Sequence, residues 1–251
     1  MSCILMTDLH VLDPDSSAEA AAHAAYVGAC LDRAGETYAE AEVCVLAGDL
    51  TSLGEPGAYR WLKQRLDALP FPTVPMLGNH DERAAYFSVF GGRAGGHAFV
   101  QTSRSFGGLR MVFLDTLDPG SDAGVLCADR LAWLDRQLGD AGAGGVCLFM
   151  HHPPCDIGDP VLDRIKLANA DAFLSVLNRH GNVRQIFFGH VHRSMHLVWN
   201  GFACASLDAL GEAAADASRR RPPAVGHMRR VGDGLAITFE TLTVQSVSGS
   251  T

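Results

Sequence analysis

Positive charge is scarce in this chain of 251 residues, which has 20 lysines and arginines against 28 aspartates and glutamates. The formal net charge is therefore −8 with histidine counted as neutral. Proteins that follow a long nucleic acid neutralise its phosphates with lysine and arginine, so the deficit argues against a nucleic-acid polymer as partner. Hydrophobic residues make up 47% of the chain and charged residues only 19%, which excludes an intrinsically disordered protein.

Long apolar runs and paired cysteines are also missing. No apolar run reaches the roughly 20 residues of a membrane-spanning helix, so we expect no membrane partner. Residues 1–5 lack the charged and apolar regions of a secretory signal. The seven cysteines are odd in number and contain no C-x-x-C pair, which argues against a disulfide framework and a cysteine-rich zinc site. Together these features predict a cytoplasmic protein.

Short apolar runs alternate with longer helix-like segments over most of the chain, a pattern typical of an α/β sandwich. Strands are predicted over residues 3–7, 42–47, 73–77, 109–115, 146–150 and 183–188. Helices are predicted over residues 16–34, 55–69, 83–90, 128–139 and 167–180. The length and the absence of a convincing boundary predict a single domain over residues 1–251.

Hairpins replace helices in the last part of the chain, residues 195–251. Asn200-Gly201 and Asp233-Gly234 are two-residue hairpin signals between apolar runs, and Gly107-Gly108 predicts an earlier hairpin. We expect the late strands to complete a second sheet. Residues 211–223 have neither a strand nor a helix period, so they are predicted to form a mobile loop or a cap.

Aspartate, asparagine or histidine follows five of the predicted strands where each strand ends. Ligands of open α/β sheets gather outside the carboxyl ends of the strands, so these side chains can converge on one site. Asp8 and His10 are two residues apart, as are His190 and His192, and extended backbone would turn both members of each pair to the same side. The strand-end motifs are Asp8-Leu9-His10, Gly48-Asp49, Gly78-Asn79-His80-Asp81, His151-His152-Pro153-Pro154 and Gly189-His190-Val191-His192.

The donors in these motifs are carboxylates, one amide oxygen and imidazoles, with no thiolate. This chemistry suits Mn, Fe, Zn or Co. Each motif alone has a structural explanation, such as turn chemistry for Gly-Asp, but their joint placement at strand ends predicts a metal site. Seven ligands are too many for one tetrahedral ion and fit two divalent ions that share a carboxylate. The candidate ligands are Asp8, His10, Asp49, Asn79, His151, His190 and His192.

The order of the motifs resembles the calcineurin-like metallophosphoesterase superfamily, and His-His-Pro-Pro and Gly-His-Val-His are most similar to bacterial class III cyclic-nucleotide phosphodiesterases and related glycerophosphodiesterases. The resemblance implies a four-layer α/β/β/α sandwich with a dinuclear metal site at the carboxyl ends of the strands. It implies a first metal held by Asp8, His10 and His192. It implies a second metal held by Asn79, His151 and His190, with Asp49 bridging both.

His80 follows the candidate ligand Asn79 and is the predicted catalytic residue. Its expected role, matched by the family, is to stabilise the phosphoryl oxygens or to protonate the leaving group. Asp81 is predicted to assist by accepting a hydrogen bond from the other ring nitrogen of His80, which would fix the tautomer.

Further histidines are candidates for roles beside the metals. His97 follows Gly95-Gly96 in a predicted loop and is, with His80 and Asn79, a candidate substrate contact. His152 neighbours the ligand His151, and in extended backbone the two rings would point to opposite sides. His152 is therefore interpreted as a supporting or core residue.

A small phosphodiester is the substrate that the resemblance implies, either a cyclic nucleotide such as cAMP or a glycerophosphodiester. Two ions about 3.5–4 Å apart would activate a metal-bound hydroxide for in-line attack on phosphorus. The enzymatic alternative is a phosphomonoesterase or a nuclease on the same core, and a non-catalytic metal-binding scaffold is the alternative from another class. The resemblance also implies a homo-oligomer, either a dimer or a larger assembly.

Overall fold

Two β-sheets lie face to face, with helices on the outer face of each, in the computed structural model, which describes residues 2–92, 98–211 and 223–244. One apolar cluster fills the space between the sheets, and two others fill the spaces between each sheet and its helices. This order of layers confirms the predicted α/β/β/α sandwich. In the described part of the chain, no helix has the length and apolar character that crossing a bilayer requires.

The predicted helices and strands are present, with ends that differ by a few residues. The helices are α1 (Ala18–Thr37), α2 (Pro56–Asp67), α3 (Arg83–Phe90), α4 (Ala128–Ala141) and α5 (Ala170–His180). The strands are β1 (Ser2–Met6), β2 (Val43–Leu46), β3 (Thr73–Pro75), β4 (Thr102–Phe106), β5 (Leu109–Phe113), β6 (Val146–Met150), β7 (Val183–Phe188), β8 (Met195–Trp199), β9 (Phe202–Ser206), β10 (Ala224–Val231) and β11 (Gly234–Thr241).

Parallel strands form the centre of each sheet. The first sheet has the order β11-β10-β1-β2-β3, in which β1, β2 and β3 are parallel. The second has the order β4-β5-β6-β7-β9-β8, in which β5, β6, β7 and β9 are parallel. The carboxyl ends of parallel neighbours lie at the same sheet edge, so this topology determines where the strand-end residues collect.

The two late hairpins join different sheets, whereas the sequence predicts that the late strands complete the second one. Hairpin β8–β9 turns at Asn200-Gly201 and extends the second sheet. Hairpin β10–β11 pairs with β1 in the first sheet. The first five residues of β10 are all buried, because Val225 packs into the cluster under the helices and Met228 into the cluster between the sheets. Most of the predicted loop or cap, residues 212–222, lies outside the described residues.

Three phenylalanine rings stack between the sheets, directly behind the strand ends. The ring centroids of Phe113 and Phe149 are 5.1 Å apart, and those of Phe149 and Phe187 are 4.9 Å apart. Each of the three is at most 1% exposed. Since Phe149 lies two residues before His151, this stack supports the strand that leads into the candidate site.

Truncation of Phe149, the central ring of the stack, should destabilise the protein. We expect Phe149→Ala to lower the free energy of unfolding by about 3–5 kcal/mol, because it leaves a cavity in a close-packed layer. Urea denaturation followed by circular dichroism measures the change. Phe202→Ala, at a partly exposed position of β9, is the control and should cost less. Equal losses in the two variants would contradict a central role for the stack.

Candidate metal centre

The seven candidate ligands converge at one edge of the two sheets, as the sequence predicts. They follow the carboxyl ends of β1, β2 and β3 in the first sheet and of β6 and β7 in the second. The first sheet supplies Asp8, His10, Asp49 and Asn79, and the second supplies His151, His190 and His192. The site is therefore assembled across the gap between the sheets, and neither sheet contains it alone.

One group of donor atoms is formed by Asp8, His10, Asp49 and His192. Nε2 of His192 lies 3.3 Å from Oδ1 of Asp8 and 3.2 Å from Nε2 of His10. Oδ2 of Asp49 lies 3.7 Å from Nε2 of His10. Ligand atoms bonded to one cation at about 2.1 Å are about 3.4 Å apart in a tetrahedron, so these separations fit a divalent ion.

A second group of donor atoms surrounds the side-chain oxygen of Asn79. Nε2 of His151 lies 3.2 Å from Oδ1 of Asn79, and Nδ1 of His190 lies 3.0 Å from the same oxygen. Nε2 of His151 is also 3.3 Å from Oδ2 of Asp49. Lone pairs of an amide oxygen, a carboxylate and two imidazoles thus face one another, an arrangement that a cation between them stabilises.

Asp49 lies between the two groups. Its Oδ2 is 3.7 Å from His10 in the first group and 3.3 Å from His151 in the second. Its Oδ1 accepts a hydrogen bond of 2.9 Å from the backbone N–H of His80. A carboxylate at this position, only 1% exposed, can share its charge between two cations.

Burial and neighbouring charges set the protonation states of this centre. Burial alone would raise the pKa of Asp49, but the imidazole of His151 outweighs it and holds that pKa well below its usual range. Burial alone would lower the pKa of His151, but the Asp49 carboxylate raises it to about 9. Burial and the charge of His151 lower the pKa of His190 to about 4. The ionised carboxylate of Asp49 and the neutral ring of His190 are in the forms that bind cations, whereas His151 has to release its proton when a cation binds.

Five of the seven candidate ligands have left-handed backbone conformations. Their φ angles are 55° at Asp8, 49° at His10, 48° at Asp49, 68° at His190 and 52° at His192. Such residues cost of order 1–3 kcal/mol each and cluster at functional sites. The sequence argument from extended backbone is therefore wrong in its geometry. The paired ligands converge because both members of each pair have a positive φ, which turns the chain sharply. Aspartate and histidine adopt this left-handed conformation more readily than most residues.

Gly78 allows its backbone to lie directly against the side chains of Asp49 and His151. A methyl group on its Cα would overlap Oδ1 of Asp49 and Nε2 of His151. Because glycine has no Cβ, the chain before Asn79 passes directly beside the donor atoms of both groups. The Gly-Asn pair of the sequence motif is thus a steric requirement of the site.

His80 lies beside the first group and is exposed. Its ring centroid is 4.9 Å from that of His10, and its Nδ1 is 3.0 Å from the backbone oxygen of Ser52. A carbonyl oxygen only accepts, so Nδ1 carries the hydrogen and Nε2 is the second, variable proton site. Ser52 also donates from Oγ to the backbone oxygen of His10, at 2.6 Å, which fixes this turn against the first strand.

The predicted hydrogen bond from the ring of His80 to the carboxylate of Asp81 is not formed. This carboxylate instead accepts hydrogen bonds from the backbone N–H groups of Leu50, Thr51 and Gly78, the hydroxyl of Thr51 and the hydroxyl of Tyr59. Burial and the nearby charge of Asp49 raise the pKa of Asp81 to about 6. The tautomer of His80 is set by Ser52, and Asp81 ties together the loops that carry Asp49 and Asn79.

His152 is fully buried behind the second group. Its Nδ1 lies 2.8 Å from Oγ1 of Thr116, and its Nε2 lies 3.2 Å from the backbone oxygen of Asp122. It lies close enough to His151 and His190 to form a possible ligand group with them. Because both of its nitrogens already have protein partners, the arrangement favours a supporting role over direct metal binding. His97, the remaining candidate, lies outside the described residues.

Sequence reasoning missed residues that support the site. Thr7 donates from Oγ1 to Oδ2 of Asp8 at 2.6 Å and so orients this carboxylate. Asp115 and Thr116 follow β5 at the same sheet edge, and both are fully buried. The rule that singled out the ligands, an aspartate, asparagine or histidine after a strand, would have found Asp115 as well. Asp115 escaped because the predicted strand was extended through residue 115, two residues beyond the end of β5.

Residues 1–194 match the calcineurin-like phosphoesterase family. The chain belongs to this family. The matched region contains all seven candidate ligands, together with His80 and Asp81. The sequence resemblance to the superfamily is thereby confirmed.

Two curated members of the calcineurin-like phosphoesterases illustrate the similarity. A probable cyclic nucleotide phosphodiesterase of Rhodopseudomonas palustris is 36% identical over 205 residues, covering 80% of this chain and 75% of that protein. The glycerophosphodiester phosphodiesterase GpdQ of Enterobacter lignolyticus is 29% identical over 172 residues, covering 67% of this chain and 62% of that protein.

A solved structure shows the same fold at lower sequence similarity. A dimetal phosphatase from Danio rerio superposes with a TM-score of 0.68 and 17% identity, covering 98% of this chain and 99% of that one. The two chains therefore share one architecture.

Proposed function

We propose that this calcineurin-like phosphoesterase hydrolyses small phosphodiesters, with 3′,5′-cyclic nucleotides as the first candidates. It would use two divalent ions drawn from Mn, Fe, Zn and Co. The supporting observation is the position of Asp49 between two donor groups, each of which combines residues of both sheets. The first ion would be held by Asp8, His10 and His192, the second by Asn79, His151 and His190, and Asp49 would bind both.

When bound, the two ions would activate a water molecule for in-line attack and neutralise charge on the phosphoryl oxygens. The protein's own part is to hold the ligands in a fixed arrangement before substrate arrives. Thr7 orients Asp8, Asp81 joins the loops that carry Asp49 and Asn79, and Gly78 keeps the approach open. The strained backbone at five ligands is the conformational cost of this arrangement.

We assign proton transfer to Nε2 of His80. Because Nδ1 donates to the carbonyl of Ser52, the protonated ring can release a proton only from Nε2 without breaking that bond. The exposed ring lies beside the first donor group, where a leaving alkoxide would be accessible. His80 is therefore proposed to protonate the leaving group or to stabilise the phosphoryl oxygens.

The substrate class can be tested with a small panel. Metal-free protein, prepared by chelation and dialysis, should gain activity on addition of Mn²⁺. It should then hydrolyse bis(4-nitrophenyl) phosphate with a higher kcat/KM than 4-nitrophenyl phosphate. Activity mainly on the monoester would point to a phosphomonoesterase, and no metal-stimulated hydrolysis of either compound would point to a metal-binding scaffold.

Glycerophosphodiesters are the second candidate substrates, on the strength of the similarity to GpdQ. Direct comparison of cAMP, cGMP and glycerophosphocholine decides between the two classes. The proposal favours the cyclic nucleotides because several relatives are named for that activity. A higher kcat/KM for glycerophosphocholine would overturn this choice while leaving diester hydrolysis intact. The cytoplasmic location and the homo-oligomer stay predictions from sequence and resemblance.

A further inference from the structure

A buried ion pair connects the loop that carries Asn79 and His80 to the opposite sheet. Arg83 is the first residue of α3 and lies four positions after Asn79. Its Nε and Nη2 each donate to the carboxylate of Asp115, both at 2.9 Å. Asp115 follows β5 in the second sheet. Its side chain is 0% exposed, and that of Arg83 is 15% exposed. The contact is therefore bidentate, shielded from solvent and formed between the two halves of the sandwich.

The surroundings of Asp115 make the pair rigid. Its carboxylate also accepts hydrogen bonds from the backbone N–H groups of Val100, at 2.8 Å, and Leu117, at 3.1 Å. Nη2 of Arg83 donates in addition to the backbone oxygen of Leu117, at 3.0 Å. Charge-assisted, bidentate contacts of this kind are strong and geometrically specific. The guanidinium of Arg83 therefore has one well-defined position against the second sheet.

This position matters for the second donor group. Asn79 comes from the first sheet, but its side-chain oxygen must meet His151 and His190, which belong to the second. Helix α3 packs through Tyr86 and Phe90 into the apolar cluster of the first sheet. This packing holds α3 mainly against the first sheet, whereas the Arg83–Asp115 pair connects the start of α3 directly to the second sheet.

We propose that Arg83 is a positioning residue, whose ion pair with Asp115 holds Asn79 in place for the second metal ion. The inference rests on the proposed function, because it uses the ligand assignment made there. Residues that support metal ligands from behind typically contribute 10- to 100-fold to metal affinity or activity. Loss of Arg83 should therefore weaken the second metal site selectively.

Arg130 provides a matched control. It lies on α4 and is a second buried arginine in contact with Asp115, with Nη1 at 3.7 Å from Oδ1. Its Nη1 also donates to the backbone oxygens of Asp115 and Leu117. Both arginines lie over the ring of Phe99. Arg130 thus shares the surroundings of Arg83 but is not connected to the Asn79 loop by a short stretch of chain.

The experiment compares Arg83→Met, Asp115→Asn and Arg130→Met in the chain of 251 residues. Metal-free protein is titrated with Mn²⁺ by calorimetry, and kcat and KM are measured with bis(4-nitrophenyl) phosphate. We expect Arg83→Met to raise the second Mn²⁺ dissociation constant by about 10- to 100-fold, with the first within a few-fold of wild type. At saturating Mn²⁺, kcat should fall more than KM rises. Arg130→Met should lower Tm but leave the second dissociation constant near wild type.

Asp115→Asn keeps the shape of the side chain and removes its charge, so it tests the pair even if Arg83→Met does not fold. It too should weaken the second site selectively. The proposal is overturned if folded Arg83→Met or Asp115→Asn binds both ions like wild type, or if Arg130→Met weakens the second site equally. A wild-type protein that binds two Mn²⁺ ions without hydrolysing diesters would refute the proposed function and leave this inference to be judged on the binding data.

Discussion

Replacing Asp49 with asparagine should leave a folded protein that no longer holds two metal ions and has lost most of its diesterase activity. The amide keeps the shape of the side chain, and asparagine tolerates the left-handed backbone at this position, where φ is 48°. It removes the negative charge that lies 3.7 Å from His10 and 3.3 Å from His151. We therefore expect kcat/KM of Asp49→Asn to decrease about a thousandfold, which corresponds to a loss of about 4 kcal/mol of transition-state stabilisation.

Two measurements check this expectation. Metal content after gel filtration, determined by mass spectrometry, should fall below two ions per chain, and kcat/KM should be measured at saturating Mn²⁺. Asp233→Asn is the control, because Asp233 is an exposed aspartate that pairs with Arg184 near the amino end of β7, away from the centre. If Asp49→Asn retained two ions and near wild-type activity, the bridging assignment would be wrong.

Removal of the His80 side chain should have a large effect of a different kind. We expect His80→Ala to bind two metal ions like wild type and to lose about 10²- to 10⁴-fold in kcat, the usual contribution of a general acid or base. The metal content should persist because the contact of residue 80 with Asp49 comes from its backbone N–H, which alanine retains. The side chain is exposed, so the fold should also persist.

Leaving-group dependence distinguishes the two roles considered for His80. If Nε2 protonates the leaving oxygen, the loss in His80→Ala should be greater for cAMP, which releases a poor alkoxide leaving group, than for bis(4-nitrophenyl) phosphate, which releases a stable phenolate. Equal losses would favour stabilisation of the phosphoryl oxygens. His180→Ala, which removes a histidine paired with Asp135 on the outer helices, serves as control. Unchanged turnover in His80→Ala would refute both roles.

The outcomes for Asp81 and for the ligand pairs show where sequence reasoning failed. Asp81 is adjacent to His80 in sequence, and adjacency suggested a hydrogen bond between them. Buried backbone N–H groups of the loop after β2 and of its own loop instead donate to the carboxylate of Asp81. The pairs Asp8/His10 and His190/His192 do converge as predicted, but through left-handed residues and not through extended backbone. Spacing along the chain identified the ligands without identifying the conformation that unites them.

The sequence by itself determined the alternation of strands and helices, the polar residues at the strand ends and the donor chemistry of the centre. These features are local, since each depends on the pattern of apolar residues over a short segment and on the residue at which that pattern ends. The tertiary structure alone decided that hairpin β10–β11 pairs with β1, that Ser52 contacts His80, and that Arg83 reaches Asp115. Each of these contacts joins residues distant in the chain, and which groups meet there depends on how the strands pair, how the two sheets pack and which buried polar atoms need a partner.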